Sequence, residues 1–122
     1  MQKNKWNKEE RRITMTEELV TLETAELLKE KGFSGRKYII DVSTLPHCYK
    51  FLSVPPQSIA QKWLRETKNL HIEIPYMYGN YWIYDILTIP NHDLVGLSNR
   101  PIIHYNTYEE ALEAGLQEAL KL

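Results

Sequence analysis

The stretch Thr107-Tyr-Glu-Glu-Ala-Leu-Glu-Ala-Gly-Leu-Gln-Glu-Ala-Leu-Lys-Leu122 decides the reading of this chain. Thr107 and Glu110 stand in the Thr-x-x-Glu order of a helix capping box. Tyr108, Ala111, Leu112, Gly115, Leu116, Ala119 and Leu120 follow at spacings of three and four, which gathers them on one helical face. Glu109, Glu110, Glu113, Gln117, Glu118 and Lys121 form the opposite, polar face. The pattern predicts an amphipathic helix over 107–122. Its small residues Ala111, Gly115 and Ala119 lie one turn apart, so the helix backbone can approach a sheet closely.

A sheet for it to cover lies upstream. His71–Tyr78 and Tyr81–Ile89 are rich in aromatic and β-branched residues and flank Gly79-Asn80, which predicts a β-hairpin. With a two-residue loop, Tyr78 faces Tyr81, Tyr76 faces Ile83, Ile74 faces Asp85 and Ile72 faces Leu87 on the core side. Asp85 is out of place there. An unpaired buried carboxylate is too costly, so either it sits at the sheet margin with a partner or a bulge shifts the register. The other side shows Met77, Trp82 and Tyr84, an apolar patch that is either covered by the first helix or open to a partner. Asn91–Pro101 reads as a polar loop, and Ile102–Tyr105 as a third strand of the meander.

Before the hairpin, Ile59, Ala60, Trp63 and Leu64 share a face, predicting a helix over 56–68 with Asn69 as its left-handed stop. Lys62, Arg65 and Lys68 lie on its exposed side and are candidate phosphate contacts. Thr21 is a good N-cap for a first helix over 22–31, ended by Gly32 and Phe33 in a Schellman arrangement. Lys37–Val42 reads as a short strand and Leu45–Pro55 as a loop.

The fold class is therefore α+β: an antiparallel β-meander of about three strands packed against two or three helices, in one domain over 20–122. Residues 1–19 form a basic arm, residues 1–12 carrying a net charge of +3 against −1 for the whole chain. A translation start at Met15 would leave most of that arm outside the fold. No apolar run approaches the eighteen or so residues that span a bilayer, and the first residues lack the apolar core of a signal peptide, so the expected location is the cytoplasm without membrane contact. The single cysteine, Cys48, cannot form an internal disulfide.

No catalytic residue, metal site or cofactor is expected. The four histidines and Cys48 lack ligand spacing, and adjacent His47 and Cys48 point apart on an extended chain. The five glycines match neither a phosphate loop nor a dinucleotide fingerprint. Glu109, Glu113 and Glu118 read as a solvated face rather than as catalytic carboxylates. Helix, three strands and helix over 56–122 is the element order of a double-stranded RNA-binding domain. In that family the last helix offers lysines to phosphate, where this chain has Glu109 and Glu110, which repel it. The expected partner is a protein or a second copy of the chain, met through Met77, Trp82 and Tyr84. The alternative is nucleic acid, met through the basic arm and the Lys62, Arg65, Lys68 face.

The segments Thr21-Leu-Glu-Thr-Ala-Glu-Leu-Leu-Lys-Glu-Lys-Gly-Phe33, Gln57-Ser-Ile-Ala-Gln-Lys-Trp-Leu-Arg-Glu66 and Thr107-Tyr-Glu-Glu-Ala-Leu-Glu-Ala-Gly-Leu-Gln-Glu-Ala-Leu120 together give residues 20–122 a resemblance. The chain resembles a family of small uncharacterised proteins of Bacteroides-type gut bacteria and their phages. The resemblance implies a cytoplasmic protein of a phage or other mobile element, and transfers no catalytic residues.

Overall fold

The computed structural model describes residues 17–44, 51–98 and 103–122. Most of the basic arm, the His47-Cys48 pair and Ile102 lie outside the described residues.

Each expected helix is present and starts or stops where its local chemistry dictates. Helix α1 (Leu22–Glu30) is capped by the Thr21 hydroxyl, which accepts from the Thr24 amide at 3.2 Å. It ends at Gly32, whose φ of 105° lets the Phe33 amide return to the Leu28 carbonyl at 3.0 Å. Helix α2 (Gln57–Trp63) runs on through a π-helical turn, Leu64–Lys68, to Asn69 in the left-handed conformation. Pro56 serves as its N-cap rather than as its first residue. Helix α3 (Tyr108–Leu120) is capped by Thr107, whose hydroxyl accepts from the Glu110 amide at 3.1 Å. The Glu110 carboxylate accepts in turn from the Asn106 amide, one residue before the N-cap.

Two short strands, β1 (Ile39–Asp41) and β2 (Phe51–Ser53), pair antiparallel beside α1, so part of the expected 45–55 loop is strand. Next come β3 (Leu70–Glu73), β4 (Tyr76–Met77), β5 (Tyr81–Trp82), β6 (Asp85–Thr88) and β7 (Leu94–Leu97). The sheet order is β3-β6-β7, antiparallel throughout, with β4 paired to β5 beyond it. Between α2 and α3 the C-terminal half thus runs through five short strands, three of which, β3, β6 and β7, form the main sheet.

Register is where the expectation fails. Ile72 pairs with Ile86, Glu73 with Asp85, Tyr76 with Trp82 and Met77 with Tyr81, so 70–88 is one long hairpin. Its loop holds three residues, Tyr78, Gly79 and Asn80, not two. Gly79 and Asn80 both have positive φ, 107° and 65°, and the Asn80 amide closes the turn on the Met77 carbonyl at 3.1 Å. One more loop residue shifts every cross-strand pair, which exchanges faces and puts Asp85 beside Glu73 on the side away from α3. Pro75, lacking an N–H, interrupts the ladder between β3 and β4, although its carbonyl still accepts from the Ile83 amide.

The third strand also differs from its expected place. Leu94–Leu97 forms it, inside the expected polar loop, and of the expected 102–105 strand Tyr105 makes a single bridge, to Trp82. A bulge opposite Ile86 and Leu87 breaks the alternation that would have revealed β7.

Helix α3 lies across β3, β6 and β7 and packs against α1 and α2. Leu28, Leu64, Ile72, Ile86 and Leu116 meet in this core at 1% exposure or less, each burial contributing roughly 1.5–3 kcal/mol. Gly115 sits at the closest approach, where a Cβ would stand 2.8 Å from the Ile72 Cγ2 and 3.2 Å from the Tyr84 Cγ.

Candidate functional site

The chemistry-bearing side chains divide between the flanks of α3 and the tip of the hairpin. Residues 18–20 pair with 55–57, the Val20 amide donating to the Pro55 carbonyl and the Gln57 amide to the Glu18 carbonyl, so the first turns of α1 and α2 start side by side. Glu113 reaches both. Its Oε2 accepts from the Thr21 amide and hydroxyl, each at 2.9 Å, and from the Thr24 hydroxyl, while its Oε1 accepts from the Gln57 side-chain amide at 2.9 Å. That amide also donates to the Glu109 carbonyl, and Gln117 donates to the Thr24 hydroxyl at 3.0 Å. A carboxylate with several donors at two helix N-termini is stabilised by their dipoles as well as by its hydrogen bonds.

Glu118, one and a half turns on, accepts from the Tyr84 hydroxyl and lies over Gly96 of β7. Burial, and then the hydrogen bond to Glu118, push the Tyr84 phenol well above its usual range. Burial and the Glu118 charge raise Tyr105 as well. Glu113 and Glu118 therefore do not belong to a solvated face. The helix beds on the sheet along its apolar stripe, but α1, α2 and β7 close in on its sides. With every strong contact tied to a structural donor, these carboxylates hold elements together.

The expected patch of Met77, Trp82 and Tyr84 does not form. Tyr84 is buried, at 7% exposure, under α3. Pairing of Tyr76 with Trp82 and of Met77 with Tyr81 places Met77 and Trp82 on opposite faces of the ribbon. The structure gathers other residues in its place. On one face the Tyr76 and Trp82 rings lie 4.7 Å apart, and Tyr108 meets Trp82 edge-on at 5.5 Å. On the other, Tyr81 stacks on His104 at 3.8 Å, 12° from parallel. Trp82 and Tyr105 exchange both backbone hydrogen bonds, at 2.8 and 3.1 Å, which fixes the ribbon to the start of α3. The Tyr76 hydroxyl donates to the Asn80 Oδ1 at 2.7 Å and braces the loop. At the apex Tyr78 is fully exposed, and Tyr76 is 57% exposed.

Tyr81 was missed because the two-residue loop set the second strand on the wrong faces, Tyr76 and Tyr78 because they were counted with the core side, and His104 and Tyr108 because they reach the ribbon only in the tertiary structure. The available signal was the run Tyr76-Met-Tyr-Gly-Asn-Tyr-Trp82 itself, four aromatics in seven residues around a turn. Such residues offer large contact area at little cost in side-chain entropy.

The basic face is less concentrated than its sequence. Lys62 lies 3.8 Å from Glu66, Arg65 is half-buried, and the Lys68 ammonium stands 5.7 Å over the Trp63 ring. Among the described residues no group of three or more His, Cys, Asp or Glu side chains is placed to hold a metal ion, and no helix is long and apolar enough to cross a membrane. Comparison of the chain with protein-family models, with curated proteins and with solved structures gives no match.

Proposed function

We propose that this protein is a non-enzymatic protein-interaction module whose contact surface is the aromatic tip of the hairpin. The observation that carries this reading is Tyr78, a large aromatic side chain held entirely in solvent on a braced three-residue loop. Leaving such a ring in water gains the fold nothing, whereas interfaces draw much of their energy from tyrosine and tryptophan anchors presented on rigid backbone. The context suggested by the resemblance is a cytoplasmic protein of a phage or mobile element, and the partner is sought in the lysate of its host.

The test compares the wild type with Tyr78→Ala in quantitative co-precipitation, each lysate split into nuclease-treated and untreated halves. A specific protein should be recovered in both halves with the wild type and fall at least about tenfold with Tyr78→Ala, the loss expected of an interface anchor. The thermal melt of the variant should be unchanged. Equal recovery by the variant sinks the reading, and a partner lost on nuclease treatment moves the role to nucleic acid and to Lys62, Arg65 and Lys68.

A further inference from the structure

Tyr108 at the start of α3 meets the aromatic ribbon, and the other end of the same helix borders a cleft of about 220 Å³. The C-terminal ends of all three helices meet there. Leu64, Ala119 and Leu120, all buried, form its floor, and Leu70 of β3 adds to its apolar wall. The charged residues that line it are Lys31 and Lys68, both cations and both exposed.

Each lysine stands where a helix ends. Lys31 is the C-cap of α1, and Lys68 closes the π-helical turn that follows α2. The negative end of a helix dipole favours a cation at such a place, so neither lysine needs a carboxylate beside it. Among the described residues no carboxylate lies within ion-pair distance of either ammonium. Lys68 stands over the Trp63 ring, which attracts its charge without neutralising it. The turn is a second pointer, because π-helical turns are rare and frequent at functional sites. Here the Asn69 amide reaches back to the Leu64 carbonyl, and the Thr67 hydroxyl donates to the Trp63 carbonyl at 2.6 Å. The wall that carries Leu64 and Lys68 is thereby fixed in place.

Two ammoniums beside an apolar floor suit a molecule with one negative charge and an apolar body. The helix ends at the cleft offer carbonyls and not amides, so a phosphate would lack the backbone donors it finds at helix N-termini. A cavity of about 150 Å³ takes up benzene, so this cleft has room for one ring and a short acidic arm. We infer that the cleft is a binding site for a small organic carboxylate, its apolar body lying on Leu64, Ala119 and Leu120 and its charge held by Lys31 and Lys68. Tyr78 takes no part in it, so this site is separate from the interaction surface of the hairpin.

Phenylpropionate, with one ring and one carboxylate, is the probe. Titrated into the isotope-labelled full chain, it should shift the amide resonances of Leu70, Ala119 and Leu120 and saturate with a Kd of about 0.1–1 mM, as befits so small a ligand. Phenylpropanol has the same body without the charge, and inorganic phosphate has charge without the body. Each should bind at least about tenfold more weakly. The double variant Lys31→Met/Lys68→Met keeps both apolar stems and removes both charges, and should lose at least about tenfold in affinity for phenylpropionate with its amide spectrum unchanged away from the cleft. Lys62→Met, outside the cleft, should bind as the wild type does. Absence of a saturable shift at the cleft up to about 10 mM phenylpropionate overturns the inference. So does equal binding of phenylpropanol or of phosphate, or a double variant that binds as tightly as the wild type.

Discussion

The base and the tip of the hairpin are parts of one ribbon in one register, and they are held by different means. At the base, Ile72 and Tyr84 are pressed beneath α3 at its glycine, Ile86 is fully buried, and Tyr84 is tied to Glu118 from the same helix. At the tip, the ribbon is held by its own loop, by the Tyr76–Asn80 hydrogen bond and by rings stacked along its flanks. The base derives its order from distant parts of the chain and leaves little surface free. At the tip the loop is closed by its own contacts while residues 104–108 flank the ribbon below it, so the apex can present Tyr78 to solvent. A rigid base carrying an exposed tip is the arrangement on which the proposed interaction rests.

The largest effect expected on this contrast comes from Gly115→Val. The added carbons would enter space held by Ile72 and Tyr84, and overpacking there should cost about 3 kcal/mol in urea unfolding, the upper part of the usual range. A much smaller loss would mean that α3 and the base slide apart readily.

Tyr84→Phe is next, at about 1–2 kcal/mol, because Glu118 loses its hydroxyl donor beside the core. Its pH dependence is the sharper signature. The folded chain keeps the Tyr84 proton above the range in which an unfolded tyrosine releases it, near pH 10. This contribution is therefore complete below about pH 10 and is lost as pH rises further. Melts at pH 8 and pH 11 should show a steeper alkaline fall for the wild type than for Tyr84→Phe, and equal slopes would remove the tie between Tyr84 and Glu118. Gly79→Ala at the tip comes last, at about 1–2 kcal/mol or less, since the strain of a positive φ falls on a segment with few tertiary contacts. If it costs more than Gly115→Val, the tip is not the locally held region described above.

Much of the candidate site lay beyond sequence reading for one reason of arithmetic. Gly79-Asn80 satisfies a two-residue turn and also the last two places of a three-residue loop, and the choice flips every side chain of the second strand relative to the first. That one residue sent Tyr84 to the surface in the sequence reading and put Asp85 in the core, when the structure has them the other way. Strand β7 was hidden because its bulge removes the alternation by which a strand is recognised. Glu113 and Glu118 were assigned to solvent because helical periodicity separates the buried stripe from the rest, and is silent on what closes in from the sides.

The sequence by itself determined the three helices, their Thr21 and Thr107 caps, their Gly32 and Asn69 stops, the existence of a hairpin around Gly79 and the close approach at Gly115. These follow from hydrogen bonds and packing within four or so residues, or from the absence of a side chain. The tertiary structure alone decided the register of the hairpin, the place of β7, the contacts of Glu113 and Glu118 and the exposure of Tyr78. The register follows from which residues α3 can cover at once, and burying Ile72 and Tyr84 together beneath Gly115 selects one alignment among those the local chemistry allows.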